Sequence, residues 1–210
     1  MRTGRPVLYG KFLSPYVRRV AVTLNLFEMP FEHKNISAIG DETEREAVNP
    51  VGRVPALCLV SGETLVDSAA ILDHLDEIAG PERALIPPTG VERRKALQHL
   101  AIATGAIDRA MTANAERRRE TPDADRLRRL LRQCQQGFAA LEPSFSDQNI
   151  SSLQQTHITA AVGFRFVNHI FPGTLTSDEF PSLSHLSLNC ESHACFSAAP
   201  LDQVGRLNSG

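Results

Sequence analysis

Strand signals in this chain stop near residue 80, and from Val91 onward only helical spacing remains. That boundary constrains the fold more than any single motif, because it calls for a small sheet-containing domain followed by a separate helical one. Before it, two periodicities alternate. "PVLYG" is a short apolar run closed by Gly10, after which Val17, Val20, Ala21 and Leu24 recur at the spacing of one helical stripe. "FEHKNI" reads as a second strand, and "DETEREAVN" as a helix whose acids come early, where they complement the helix dipole. "VPALCLV" and "ETLVD" flank the turn pair Ser61 and Gly62 and predict a hairpin; Ile71, Leu72, Leu75 and Ile78 mark a third helix ending near Gly80 and Pro81. The order is βαβαββα.

The break itself is "GPERALIPPTG", whose prolines and glycines cannot continue a helix. Beyond it, "VERRKALQHLAIATGAIDRAMTANAERRR" is one long helical pattern. A second helix is expected to open at "TPDAD", with Thr121 as N-cap and Pro122 at the first helical position, and to bury Leu127, Leu130, Leu131, Cys134, Phe138 and Leu141. A further helix covers Thr156 to Ile170, and a last one follows Pro181. The expectation is an α/β domain over 1–82 and an all-α helical bundle over 90–210. A chain of 210 residues exceeds the usual domain size of ~100–150 residues, which agrees with two. Its 42% hydrophobic and 22% charged residues are an ordinary globular balance able to bury a core.

A formal net charge of −2 gives no general attraction to nucleic acid or anionic membrane, so an anionic ligand must be held by a local site. "ERRR" ending at Arg119 is read as a charged helix end meeting the dipole. No segment approaches ~18 uninterrupted apolar residues, and "MRTGRPVLYG" lacks a signal-peptide run, so a cytoplasmic protein is expected. Cys58, Cys134, Cys190 and Cys195 are too sparse for a disulfide framework and are read as reduced thiols. Cys190, His193 and Cys195 match no common zinc spacing, and no metal is expected.

Three stretches place polar groups at the starts of elements: "SPYVRR", "NPVGRVPAL" and "DSAAILDHL". Taken locally, Ser14 is a good N-cap with Pro15 in the first turn, Asp67 and Ser68 start a helix, and Arg53 is a solvated loop charge. Taken chemically, a hydroxyl at a helix N-terminus favours an anion or a thiolate, an acid beside it accepts from an ammonium, and an arginine suits a carboxylate.

In this order and on these elements, the three stretches resemble the cytosolic glutathione S-transferase family, of the bacterial type with serine at the thiolate position. The resemblance covers nearly the whole chain and is looser in the C-terminal half. It implies a thioredoxin-like domain that binds glutathione as cosubstrate, a helical domain that shapes a pocket for a hydrophobic electrophile, and a homodimer. It implies that Ser14 donates to the glutathione thiolate, with Tyr9 and Tyr16 as rivals for that role. Arg53 would help hold the tripeptide, Val54 would meet its cysteinyl unit across a cis bond to Pro55, Asp67 would take its ammonium, and Ser68 with free helix N–H groups its γ-glutamyl carboxylate. Redox relatives of the thioredoxin type would want cysteine where Ser14 stands, which argues against dithiol exchange.

The function so implied is transfer of an alkyl or aryl group to glutathione. The alternatives are glutathione-dependent isomerisation, dehalogenation or peroxide reduction on the same site, or a non-catalytic ligand-binding or interaction module. Three departures from the family pattern stand out. Asp67 replaces the usual Glu, the chain has no Trp, and Thr159 in "THIT" stands where a capping box usually has Asp, leaving Thr156 to cap its helix alone.

Overall fold

The structure, a computed structural model, describes residues 4–36, 42–146 and 152–201; Asp41, the expected start of the second helix, lies outside them. The described residues fall into two compact units, one drawn from Met1–Arg83 with Ala194–Gly210 and the other from Ala84–His193.

The first unit is a four-stranded sheet in the order β2-β1-β3-β4, built from β1 (Val7–Tyr9), β2 (Glu32–Lys34), β3 (Ala56–Cys58) and β4 (Thr64–Val66). β1 and β2 are parallel, joined through α1 (Pro15–Leu26), whereas β1 pairs with β3 and β3 with β4 antiparallel. With α2 (Glu42–Val48) and α3 (Ser68–Ala79) the order is βαβαββα, as the periodicity predicts, and the arrangement is the thioredoxin-like one that the resemblance implies. Side chains alternate across a strand, so each strand serves both faces. Tyr9, Ala56 and Cys58 join Ile36 in one apolar cluster, with Val48 of α2 against it. Leu8 and Leu57, paired in register and fully buried, take the opposite face, and α1 and α3 pack on each other and on the sheet. Ile78, expected in the stripe of α3, is 55% exposed; Ile71, Leu72 and Leu75 complete that stripe without it.

A short C-terminal helix, α8 (Ala194–Ser197), belongs to this same unit. Its anchor is Arg18, fully buried on α1, which donates through Nε to the Ala199 carbonyl at 2.8 Å and lies over the Phe196 ring. Asn25 adds a bond from Nδ2 to the Cys195 carbonyl. The first of the two arginines in "SPYVRR" is therefore a structural pin for a segment far along the chain.

The second unit contains α4 (Gly90–Arg117), α5 (Ala124–Leu141), a 3-10 turn (Glu142–Phe145), α6 (Gln155–Ile170) and α7 (Pro181–Ser192). α5 buries Leu130, Cys134, Phe138 and Leu141, as its periodicity predicts. It approaches α4 closely: a Cβ at Gly137 would stand 2.7 Å from Ala106 Cβ, so only glycine fits there.

Two expected helix starts are corrected. α5 is capped by Asp123, not Thr121, because the Asp123 carboxylate accepts from both the Asp125 and Arg126 N–H groups at 3.0 Å. α6 is capped by Gln154, not Thr156: the Gln154 side chain takes the N–H of His157, and Nδ1 of His157 takes the Gln154 N–H at 3.0 Å. Thr156 and Thr159 are instead buried within the helix, where Gln155 donates to Thr159 Oγ1.

Candidate functional site

One row of the sheet gathers three of the sequence motifs. Lys34, Tyr9, Ala56 and Val66 are partners across the four strands, so the segments just beyond that row share one end of the sheet. These are the Gly10–Ser14 loop after β1, the Val54–Pro55 step before β3, and Asp67 after β4.

Gly10 records how tightly two of them meet. At φ +121°, a Cβ on Gly10 would lie 2.5 Å from Val17 Cγ2 in the first turn of α1 and 2.8 Å from Val54 Cβ. No L-residue with a side chain fits that space or favours that conformation. Val54 thus sits beside the start of α1, and its bond to Pro55 is cis. The Gly10 loop is also held from β2, where His33 donates from Nε2 to the Gly10 carbonyl at 2.6 Å and stacks on Phe12 at 4.0 Å. Nothing in the sequence marks His33 for this role, because its partners come from a different strand.

Ser14 is the N-cap of α1. Its backbone is extended (φ −70°, ψ 120°), and its Oγ accepts the Val17 N–H at 3.4 Å. A hydroxyl carries one donor and two acceptor sites, so capping occupies a lone pair and leaves the proton. Capping and donation to a ligand are therefore compatible uses of one oxygen. Tyr9 is buried in β1 with the Lys34 ammonium over its ring, and Tyr16 stands on α1 facing the Arg19 guanidinium.

Arg53 is exposed at the end of a loop shaped by two buried residues. Asn49 donates to the Arg53 carbonyl at 2.8 Å and accepts the Val51 N–H, while Arg45 donates to the Gly52 carbonyl. The Arg53 guanidinium makes no hydrogen bond or ion pair among the described residues.

Asp67 caps α3 through Oδ1, which accepts the Ala69 N–H at 2.8 Å. Its φ of +68° is unusual for a residue with a Cβ, a conformation that costs on the order of 1–3 kcal/mol and often accompanies function. Ser68, next along, is buried and accepts at Oγ from Arg19 Nη2 at 2.7 Å. That contact joins the third motif to the first. Together these groups offer a helix N-terminus with a serine proton, a second helix N-terminus with serine and an exposed carboxylate, and an arginine without a partner among the described residues. Such a set suits a ligand that carries an anion, a cation and a group able to become a thiolate.

No group of three or more His, Cys, Asp or Glu side chains among the described residues could hold a metal ion. Burial pushes the Cys134 thiol up to about 12 and raises that of Cys195, the opposite of what a reactive thiolate needs. No helix among the described residues is long and apolar enough to cross a membrane.

Comparison with known proteins points to one family. Residues 8–83 match the N-terminal domain of glutathione S-transferases. A probable maleylacetoacetate isomerase of Drosophila melanogaster is 36% identical over 108 residues, 49% of this chain and 47% of its own length. The chain spans about half the length of that relative. A GST-like protein of Escherichia coli, YibF, is 26% identical over 172 residues, covering 79% of this chain and 85% of its own. The crystal structure of a glutathione S-transferase from Methylobacterium radiotolerans, in complex with glutathione sulfonate, superimposes with a TM-score of 0.86. It is 26% identical and covers 95% of this chain and 96% of that one.

Proposed function

Residues 8–83 form a glutathione S-transferase N-terminal domain, and from that premise we propose that the chain is a member of that family, binds glutathione at the sheet end described above and activates its thiol for conjugation to a hydrophobic electrophile. The observation that carries this reading is that Gly10 packs against Val54 and the first turn of α1, which Ser14 caps, while Arg19 of the same helix bonds Ser68 beside Asp67, with both serine oxygens accepting from protein in these contacts.

Each group has a role in that reading. Ser14 donates to the thiolate sulfur, and the N-terminus of α1 adds positive potential. Lowering a thiol pKa by ~2 units corresponds to ~2.7 kcal/mol of preference for the thiolate, within reach of one hydroxyl donor and a helix terminus. The Val54 main chain meets the cysteinyl unit. Asp67 accepts from the γ-glutamyl ammonium, and Ser68 with the first N–H groups of α3 takes the neighbouring carboxylate. Arg53 takes a carboxylate of the tripeptide as a solvated charge. The helical residues beyond 90 shape the electrophile pocket, and the working form is a homodimer. Exposed apolar side chains support a second copy: Val51 on the Arg53 loop is 70% exposed, and Val91, Leu97 and Met111 are exposed along α4. Sedimentation showing only monomer at micromolar concentration would rule that assembly out.

A second reading has a specific observation behind it, since similar proteins include a maleylacetoacetate isomerase of Mus musculus and a probable one of Drosophila melanogaster. A thiolate that adds to a conjugated double bond, allows rotation and then leaves would regenerate glutathione and isomerise the substrate on the same residues. Retention on immobilised glutathione, followed by assays with an aryl halide and a cis-enone diacid, separates the readings. Loss of aryl halide with thioether formation supports conjugation, and isomerisation without glutathione consumption supports the second. Retention without either reaction leaves a binding module, and failure to retain overturns the site.

A further inference from the structure

The two arginines of "SPYVRR" have different partners, and the second bears on the site. Arg19 is 4% exposed and Ser68 is 3% exposed, and the 2.7 Å bond between Arg19 Nη2 and Ser68 Oγ spans 49 residues from α1 to α3. A guanidinium has donors only, so Ser68 can only accept in this bond. Its own proton is then directed away from Arg19. This hydroxyl belongs to the first turn of α3, where N–H groups without helical partners are presented.

We propose that Arg19 is a positioning residue for the glutathione site. By occupying a lone pair of Ser68, it holds that hydroxyl as a donor to the γ-glutamyl carboxylate, and it fixes the start of α3 against the helix that carries Ser14. The proposal rests on the glutathione-binding reading above. It differs from a purely structural pin of the Arg18 kind, because its effect is felt in ligand binding and travels through one named oxygen. A carboxylate partner acts in ground and transition states alike, so the effect falls on KM and Kd for glutathione and spares kcat at saturation.

The test is calorimetric titration of glutathione into wild type, Arg19→Met, Ser68→Ala and the double variant, with thermal unfolding and steady-state rates on each. Arg19→Met keeps most of the buried stem but removes the donor, and is expected to weaken Kd about tenfold with kcat at saturation within about twofold. The double variant is expected to bind no more than about twofold more weakly than Ser68→Ala, since both substitutions break the same contact. Arg19→Lys, which keeps a charged donor but loses the planar fork, is expected to recover part of the affinity, and it carries the comparison if Arg19→Met does not fold. Wild-type binding with Arg19→Met (or Arg19→Lys in its place) within twofold of it, or losses that simply add in the double variant, overturns the positioning role and leaves the glutathione site standing. Wild type that takes up no glutathione overturns both.

Discussion

Helix starts in the two units use the same capping chemistry to different degrees. In the second unit two carboxylates each take two helix N–H groups. Asp123 takes both from α5 through Oδ1 while its own N–H goes to buried Glu116, and Glu142, in the 3-10 turn, takes the Ser182 and Leu183 N–H groups of α7 with its two oxygens. In the first unit, Ser14 takes one N–H through a long 3.4 Å contact, and Asp67 takes one through a single oxygen. A carboxylate that takes two helix N–H groups gives more of its capacity to the helix, whereas a cap that takes only one keeps more of it for a ligand at the N-terminus.

The largest expected effect tests whether the first unit's helix starts depend on close approach. Gly10→Ala must place a Cβ 2.5 Å from Val17 and hold alanine at φ +121°, which is expected to cost on the order of 3 kcal/mol or more. Gly80→Ala at φ +81° meets nothing within 4 Å, so it carries the backbone strain without the clash and should cost on the order of 1–2 kcal/mol. Equal shifts of the denaturation midpoint for the two would break the argument that Gly10 sits at a three-way contact.

Next is Ser14, where cap and donor can be separated. Ser14→Ala loses both functions, and a return of the bound thiol to its ordinary value of about 8.5 from about 2 units lower implies a thiolate population, and a rate, lower by about 25-fold at neutral pH. Ser14→Asp still caps α1, but its carboxylate has no proton to give and repels a thiolate. It is expected to stay folded, to bind glutathione weakly and to be largely inactive. Titrating thiolate ultraviolet absorbance in each complex reads this directly; an unchanged thiol pKa in Ser14→Ala would move the donor role to Tyr9, Tyr16 or a backbone group.

A paired substitution sharpens the comparison further. Asp123→Ala should lower stability by about 1 kcal/mol and leave glutathione binding unchanged, as for a cap that serves its helix alone. Asp67→Ala should raise KM for glutathione severalfold, with a smaller change in kcat. Similar KM changes in both would erase the distinction between the two kinds of cap.

The strands, the order of elements along the chain and the helical second half were legible in the sequence, because periods of two and of about 3.6 residues are local and Gly10, Gly62 and Gly80 punctuate them. Cap positions were less so. Thr121 and Asp123 are both good caps two residues apart, and the choice was made by Glu116, which accepts the Asp123 N–H from the end of α4. α8 was missed because four residues carry no period, and its hold on the chain is Arg18, some 180 residues away in sequence. Ser14, Arg53, Val54, Asp67 and Ser68 were named from motifs at element starts. Arg19 and His33 were not, since one touches α3 and the other the Gly10 carbonyl, and such contacts leave no local pattern.

The smallest expected effect lies in the α6 cap. Nδ1 of His157 accepts the Gln154 N–H, so the neutral ring carries its proton on Nε2. Protonation would put a second proton on Nδ1 and remove the acceptor. Desolvation holds His157 below the ordinary histidine range, and its ring neighbour is the edge of Phe145 rather than a charge. A depressed folded-state pKa means the stabilisation is full above the unfolded value of about 6.5 and is lost as pH falls below it toward the folded value. Glu116 is also held low, chiefly by the Asp123 N–H and then by Arg119, but its contribution is lost only as pH falls through the carboxylate range. Acid destabilisation should thus come in two stages, an early one of about 1 kcal/mol from the cap and a later one from Glu116. His157→Gln keeps a reciprocal side-chain acceptor that does not titrate. It should flatten the early stage and leave the later one, read as denaturation midpoint against pH, and an early stage that persists in His157→Gln would assign it to another group.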